Sequence, residues 1–170
     1  MSTRCYVGVE LRKDNEILKA PNDFKEKVSD YKDIDTSDNK FASIYCHHDG
    51  YVTGVGQTLL DLFPENNPET YKKVCELIAM GNTSSIDKDK NNNVVSDAYA
   101  VDEGYEHNKP LISFNPPTVD VFIEYVYLFT KDNTWKLQRS RFFTNPNGTF
   151  ENLGKNDAFF PLTEQKEFQQ

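Results

Sequence analysis

Alternating apolar and polar residues near both ends of the chain predict the strands of a sheet. Residues 5–11 (CYVGVEL) and 41–47 (FASIYCH) alternate and are rich in β-branched and aromatic side chains, so they predict the first two strands. Residues 119–129 are apolar on both faces, which is typical of a central strand. Residues 134–139 predict its hairpin partner, and residues 159–162 predict a short edge strand.

Two helices are predicted between these strands. In residues 52–63, apolar side chains recur at three- and four-residue spacing and would form one face, and Pro64 ends the pattern. Asn67 and Pro68 are typical of the start of a second helix, with Pro at its first position. Gly81 follows the last apolar turn of that helix, where a left-handed C-cap is expected.

These elements predict a single domain, residues 1–170, of the α+β class. We expect a two-layer sandwich in which a helical hairpin packs on one face of an antiparallel sheet. Polar excursions at about residues 12–40 and 87–117 interrupt the pattern. The second excursion contains the short apolar pieces Val94-Val95 and Leu111-Ile112, which predict minor strands. A chain of 170 residues is long enough to bury a core without disulfides.

Charge and composition restrict the classes of partner. The chain carries 27 acidic and 19 basic side chains, a net charge of −8. This balance opposes binding to nucleic acid, which is driven by counterion release to Lys and Arg. No window is apolar enough to span a membrane, and the first residues do not resemble a signal peptide. The three cysteines form no CxxC pair, so we expect a cytoplasmic protein with reduced thiols.

Chemically versatile side chains cluster where the second predicted strand ends. The segment SIYCHHDGYVTGVG, residues 43–56, brings together Tyr45, Cys46, His47, His48, Asp49, Gly50 and Tyr51. Strand alternation would send Tyr45 and His47 to one face of the sheet, and Cys46 and His48 to the other. Asp49-Gly50 then predicts a turn at the rim of the sheet, where ligand sites tend to gather.

Glycines and hydroxyls add an anion-binding pattern to this cluster. Gly54 and Gly56 open the first helix, where free N–H groups and a close backbone approach favour an anion, although the same glycines would equally let the helix pack closely on the sheet. A helical hairpin would return the hydroxyl run after the second helix to the same place. The predicted ligand site therefore consists of Tyr45, His47, His48, Asp49, Gly50, Tyr51, Gly54, Gly56, Thr83, Ser84, Ser85 and the cation Arg139.

Two catalytic alternatives use the same segment. Residues 46–49 include side chains that bind zinc in other proteins, but strand alternation separates them, and the remaining histidine, His107, has no partner at zinc-ligand spacing. A Cys46 nucleophile with a histidine base would suit hydrolysis, yet His47 would point to the opposite face. We therefore expect no metal, no cofactor and no catalytic residue, and a protein that binds its ligand without turnover.

Three blocks of the sequence resemble a family of small, mostly uncharacterised proteins of bacteriophages and prophages. The blocks are IYCHHDGYVTGVGQTLLDLF, KKVCELIAMGNTSSI and IEYVYLFTKDNTWKL, and they cover about half of the chain in the same order. The family pattern has Trp where this chain has His48, and Pro where it has Val52. If the family's aromatic side chain stacks on a ligand ring, His48 would stack with a charge that depends on pH.

The resemblance implies a phage accessory protein that acts in the host cytoplasm. The leading hypothesis is a counter-defence protein that binds, without turnover, a small anionic and nucleotide-like molecule. One alternative is an inhibitor that binds a host defence protein through an acidic or aromatic surface, and another is a metal- or Cys46-dependent hydrolase. Proteins that sequester ligands often build sites between subunits, so a homo-oligomer is also an open alternative.

Overall fold

One mixed sheet organises the part of the chain that the computed structural model describes, which comprises residues 3–12, 41–98, 110–113, 115–120, 122–140 and 159–168. Within these residues, eight strands pair in the order β4-β3-β2-β1-β6-β7-β8, and β5 pairs with β2 outside this order. The strands are β1 (Cys5–Glu10), β2 (Phe41–Cys46), β3 (Thr83–Lys88), β4 (Val94–Ala98), β5 (Leu111–Ser113), β6 (Tyr125–Phe129), β7 (Trp135–Arg139) and β8 (Phe160–Pro161).

The strand directions differ from the predicted antiparallel sheet. β1 and β2 are antiparallel neighbours, as predicted, and β6 and β7 form the expected hairpin. β1 and β6 run parallel, however, and so do β2 and β3. For β2 and β3, the prediction was wrong because it treated Thr83, Ser84 and Ser85 as a loop, whereas they begin a strand that the helices lead into. The α+β class is confirmed only in this coarser form, as a mixed sheet with short helices.

Two short helices connect β2 to β3. A π-helical turn (Val52–Gly56) leads directly into α1 (Gln57–Leu62), α2 spans Thr70–Ala79, and two 3-10 turns (Leu162–Glu164 and Lys166–Phe168) lie near the C-terminus. α2 contacts β1 and β2, and α1 contacts β3. Because β2 and β3 are parallel, the helices form a crossover connection between them. They are not the simple helical hairpin on an antiparallel sheet that the sequence predicted.

The ends of α2 follow the predicted chemistry in part. The helix begins at Thr70 and not at Pro68, and in the turn before it Asn67 Oδ1 accepts a hydrogen bond from the N–H of Glu69 (2.9 Å). Thr70 Oγ1 donates to the carbonyl of Pro64 (2.6 Å) across the same turn. After the helix, Gly81 has a φ of 84°, so the predicted left-handed C-cap is confirmed.

The main core lies on the sheet face that carries the helices. Alternate residues of the central strands form one buried cluster with the helices, including Cys5, Val7, Val9, Ile44, Cys46, Tyr127, Phe129, Trp135, Leu137, Leu59, Val74 and Ile78. All residues of β6 are buried, as predicted for a central strand. Trp135 donates its indole N–H to the carbonyl of Phe63 (3.1 Å), which satisfies its polar group inside the core.

The opposite face is covered in part by the chain that precedes β6. A Cβ on Gly8 would lie 3.4 Å from Pro117 Cγ, so this segment packs closely on β1. The N–H of Val119 donates to Gln138 Oε1 (2.8 Å), and Asp120 accepts bonds from the N–H groups that follow it in a turn. Because of this turn, β6 begins at Tyr125 and not near Val119 as predicted.

The predicted polar excursions are only partly described. The excursion at 12–40 lies outside the described residues, apart from Arg12. Within the second excursion, the minor strands predicted at Val94-Val95 and Leu111-Ile112 are confirmed as β4 and β5. The predicted edge strand near Phe160 is confirmed as β8. None of the helices in the described ranges has the length and apolar character needed to cross a membrane.

Gly50 is held between β1 and the central strand β6. Its N–H donates to the carbonyl of Thr3 (2.9 Å), and its carbonyl accepts a buried hydrogen bond from the hydroxyl of Tyr127 (2.6 Å). A Cβ at position 50 would lie 2.8 Å from the carbonyl oxygen of Thr3 and 2.9 Å from Cys5 Cβ. Only glycine fits this position without displacing the backbone that leads into β1.

We predict that Tyr127→Phe lowers the free energy of unfolding by about 1–3 kcal/mol, because it leaves the buried carbonyl of Gly50 without its donor. Urea denaturation followed by circular dichroism measures this change. Tyr51→Phe is the matched control, since the Tyr51 side chain is exposed. Equal stabilities for the two variants would contradict the role assigned to this hydrogen bond.

Candidate functional site

The end of β2 meets the ends of four other strands at one end of the sheet. Cys46 lies opposite Cys5 in β1 and beside Thr83 in β3. Cys5 lies beside Tyr125 in β6, which in turn lies opposite Arg139 in β7. These cross-strand pairs follow one another across the sheet, so residues from β3, β2, β1, β6 and β7 lie side by side. We refer to this region as the sheet end.

A row of aromatic rings crosses the sheet end. The ring centroids of Tyr6 and Tyr45 are 6.3 Å apart, those of Tyr45 and His47 are 5.9 Å apart, and those of His47 and His48 are 4.5 Å apart. The hydroxyl oxygen of Tyr45 and Nδ1 of His47 lie 2.6 Å apart, within hydrogen-bond distance. We call Tyr6, Tyr45, His47 and His48 the aromatic row.

The aromatic row corrects one detail of the predicted alternation. Tyr45 and His47 share a face, as predicted, and Cys46 is buried on the opposite, helix-bearing face. His48 was predicted on the face of Cys46, but its ring contacts that of His47. The prediction failed because β2 ends at Cys46, so strand alternation does not extend to His48.

The predicted hydroxyl run lies directly beside the histidines. The N–H of His47 donates to the carbonyl of Thr83 (3.2 Å), and the N–H of His48 donates to that of Ser84 (2.8 Å). Thr83 is buried and its hydroxyl donates to the carbonyl of Ser85 (2.8 Å), whereas Ser84 and Ser85 are half-buried. The structure therefore brings these two predicted segments together, with the hydroxyls in a strand and not in a loop.

Gly54 and Gly56 serve close packing of the chain. Their N–H groups both lie within hydrogen-bond distance of the carbonyl of Tyr51, at 2.9 and 3.4 Å. A Cβ on Gly54 would lie 2.9 Å from the ring of Tyr51, and one on Gly56 would lie 3.1 Å from the ring of Tyr127. The N–H groups are thus already paired within the chain. The geometry supports the close-packing interpretation of these glycines over that of an anion site.

The turn after the histidines is formed by Asp49 and not by its glycine. Asp49 is exposed and has a φ of 59°, and its carbonyl accepts the N–H of Val55 (2.8 Å). Tyr51 is also exposed. Gly50 is buried against β1, as described above. Of the three predicted site residues in this turn, Asp49 and Tyr51 can be reached from solvent.

Arg139 is engaged within the protein. Its Nη2 donates to both carboxylate oxygens of Glu167, at 2.6 and 2.5 Å, and its Nε donates to Gln165 Oε1 (3.1 Å). Its guanidinium also lies 5.7 Å from the ring centroid of Tyr125. The carboxylate neutralises the charge that we expected to meet an anionic ligand. Arg139 therefore fits a structural role better than the predicted ligand contact.

Arg4 is the cation at the sheet end that the sequence interpretation missed. It immediately precedes β1, and because Cys5 points into the core, alternation places Arg4 on the face of the aromatic row. Its Nε is buried and has no hydrogen-bond partner among the described residues. A buried donor without a partner is costly, so this position favours an acceptor. The sequence analysis did not include Arg4, because it lies just before the predicted first strand.

Arg12 provides a useful contrast with Arg4. Its Nε is also buried without a hydrogen-bond partner in the described part of the chain. Its guanidinium, however, lies 4.2 Å from the ring centroid of Tyr71, and its Nη2 donates to Asn133 Oδ1 (2.5 Å). A cation over an aromatic face is stabilised by the ring quadrupole. Arg12 is thus held at the far end of β1, away from the aromatic row.

The charges around the aromatic row differ between its two ends. Burial, the neighbouring His48 and then Arg4 lower the pKa of His47. Burial and then the carboxylate of Asp120 raise the pKa of Tyr6. The row therefore has the cation Arg4 near His47 and the carboxylate of Asp120 near Tyr6.

Cys46 and His47 do not form a catalytic pair. Cys46 is buried, its thiol lies 3.4 Å from the carbonyl oxygen of His48, and its side chain faces the core. His47 lies on the other face, against Tyr45. Within the described ranges, no group of three or more His, Cys, Asp or Glu side chains is placed to hold a metal ion. His107 lies outside those ranges.

Comparison with known proteins assigns no family. The chain matches no protein-family model, no curated protein and no solved structure. The resemblance to phage proteins stays an expectation from the sequence. Function is therefore inferred from the side chains at the sheet end.

We predict that His48→Gln raises the pKa of His47, because it removes a neighbouring charge that opposes protonation. The pKa is measured by NMR titration of the histidine Cε1–H signals. Lys90→Gln, which removes an exposed charge in the β3–β4 turn, is the control and should leave the His47 pKa unchanged. An unchanged or lower His47 pKa in His48→Gln would contradict this electrostatic coupling.

The lowered pKa of His47 also determines how the stability of the folded protein changes with pH. The pKa of His47 is lower in the folded protein than in the unfolded chain, so the unfolded chain binds more protons as the pH falls below the ordinary histidine pKa of about 6.5. His47 therefore makes the folded state less stable as the pH decreases through that range. His48→Gln should reduce this loss of stability.

Proposed function

We propose that the protein binds a small anionic, nucleotide-like molecule at the aromatic row, without chemical turnover. The observation that carries this proposal is Arg4, whose buried Nε lacks a hydrogen-bond partner among the described residues and which lies close enough to His47 to lower its pKa. A phosphate or carboxylate oxygen would satisfy that donor and neutralise the guanidinium. The adjacent rings offer a surface on which a base can stack.

The charge distribution indicates how such a ligand would lie. Its anionic group would face Arg4 and His47, and its ring would extend along Tyr45 towards Tyr6. Asp120, at the far end of the row, would repel an anion there. The electrostatics therefore favour one direction of binding over the reverse.

This proposal revises the set of site residues expected from the sequence. Tyr45, His47 and His48 are retained, and Arg4 and Tyr6 are added because they border the same surface. The peripheral predicted residues are not used, since their donors or charges are paired within the chain; these are Gly54, Gly56 and Arg139.

The resemblance to phage proteins suggests a biological setting for this activity. In that setting, the ligand would be a nucleotide-derived signal of host defence, and the protein would act in the host cytoplasm by holding the signal away from its receptor. Sequestration of this kind needs affinity and abundance but no catalytic group. The setting rests on the resemblance, whereas the ligand class rests on Arg4 and the rings.

Isothermal titration calorimetry with cyclic dinucleotides and ADP-ribose tests the proposal. We predict that Arg4→Gln weakens binding by about tenfold or more, because a charge-assisted hydrogen bond is lost. Lys131→Gln is the matched control: it removes the same charge from an exposed residue in the β6–β7 turn, at the opposite end of β6. Failure of the wild-type protein to bind any of these ligands, or equal weakening in the control, would overturn the proposal.

A pH series adds a second readout to this experiment. An anion beside His47 favours the protonated imidazole, so binding should raise the His47 pKa and take up protons. Affinity should therefore increase as the pH falls from about 8 to about 6. His47→Gln should remove part of this dependence, and a pH dependence that the variant retains in full would show that His47 does not face the anion.

A second candidate function is inhibition of a host protein. Phe122 favours inhibition of a partner protein, because it is 69% exposed and lies beside Asp120. Asp120 in turn lies near Tyr6, and the whole protein has a net charge of −8. An exposed aromatic ring within an acidic surface could dock on a basic partner.

A pull-down from host lysate separates the two functions. An inhibitor should retain one stoichiometric protein, and Phe122→Ser should release it, whereas a ligand-binding protein should retain none. Phe160→Ser is the control, because Phe160 is similarly exposed but lies in the edge strand β8. A protein that is retained equally by both variants would count against docking through Phe122.

A further inference from the structure

Two of the three cysteines face each other across the sheet end. Cys5 and Cys46 are direct partners in the antiparallel pair of β1 and β2, and both belong to the same buried cluster. Direct partners on one face of an antiparallel pair have Cβ atoms about 4.5–5.5 Å apart. A disulfide needs a Cβ separation of about 3.5–4.5 Å, so a small inward movement of this rung is enough.

The position of this rung allows such a movement. Cys5 and Cys46 form the terminal rung of the β1–β2 pairing, and beyond it the chain turns at Asp49. Along β1 and β2, the pairing of the two strands continues from this rung in one direction only. The thiol of Cys46 lies 3.4 Å from the carbonyl of His48, and Gly50 lies directly against Cys5. The turn that follows β2 therefore packs against both cysteines.

We propose that Cys5 and Cys46 are an oxidation site, at which a peroxide converts the two thiols to a cross-strand disulfide. In the first step, the Cys46 thiolate attacks one oxygen of hydrogen peroxide and the O–O bond breaks, which leaves sulfenic acid on Cys46. The hydroxide that leaves takes up the proton lost from the Cys46 thiol and becomes water. In the second step, the Cys5 sulfur attacks the Cys46 sulfur, the S–O bond breaks, and a second water leaves with the remaining thiol proton. Two electrons pass from the thiols to the peroxide.

The surroundings assign different roles to the two thiols. A hydrogen bond from Cys5 lowers the pKa of Cys46, although burial acts in the opposite direction. Burial raises the pKa of Cys5. Cys46 is therefore the thiol that ionises first and attacks the oxidant, and Cys5 is the resolving thiol. Both are buried, so access requires opening of the turn over them.

Cys75 serves as an internal control. It is also buried, but it lies on α2, and burial raises its pKa to about 12. A thiol that rarely ionises reacts slowly with peroxides. We expect Cys75 to remain a thiol under conditions that oxidise the Cys5–Cys46 pair.

The test is peptide mapping of the folded, full-length protein after treatment with hydrogen peroxide. The protein is denatured in the presence of an alkylating agent, digested, and analysed by mass spectrometry with and without dithiothreitol. We predict a reducible Cys5–Cys46 cross-link and an alkylated Cys75. A cross-link that contains Cys75, a link between two molecules, over-oxidised Cys46 without a link, or three alkylated thiols would each overturn the proposal.

Variants separate this site from the proposed ligand site. Cys75→Ala should leave the Cys5–Cys46 cross-link unchanged, and Cys5→Ala should abolish it and leave Cys46 to oxidise further. If Cys5→Ala does not fold, the map of the wild-type protein still decides the outcome. Arg4→Gln should lose ligand affinity but retain the cross-link, so failure of one proposal does not imply failure of the other.

Discussion

The sheet end depends on one constraint, the fixation of Gly50 between two strands. Its N–H is bonded to the backbone beside β1, its carbonyl is bonded to the hydroxyl of Tyr127, and no side chain fits in the remaining space. These contacts fix where the chain leaves β2. They therefore determine the position of His47 and His48 relative to Arg4, and they keep the Cys5–Cys46 pair covered. The residue that closes the core therefore also positions the partly exposed rings of the proposed ligand site.

The two faces of the sheet end differ in burial and in charge. The face that carries the helices buries the thiols and aromatic rings of the core and holds the partly exposed Arg139 paired with Glu167, and so contributes mainly to stability. The opposite face keeps the partly exposed aromatic row beside Arg4, with a change in charge along its length. Strand alternation produces this division, since neighbouring residues such as Cys46 and His47 belong to different environments.

Local patterns were sufficient to predict part of this structure. The alternation of β1 and β2, the central position of β6, the β6–β7 hairpin and the left-handed Gly81 all depend on residues close in sequence. The parallel pairing of β1 with β6 joins distant segments, so periodicity could not reveal it. The strand at Thr83 was missed because its residues are mostly polar. Two tertiary properties are encoded by no local pattern: the Nε of Arg4 has no hydrogen-bond partner among the described residues, and Arg139 pairs with Glu167.

The parallel pairing of β1 with β6 also has a consequence for how the protein acquires its fold. Cys5 lies beside Tyr125, 120 positions later in the chain (125 minus 5). During synthesis from the N-terminus, β1 emerges long before β6. One edge of β1 therefore stays unpaired until β6 has been made. Pairings between distant segments slow folding, because the entropy of closing a long loop is lost before the contacts form. Until β6 has been made, this edge of β1 is open to association with other chains.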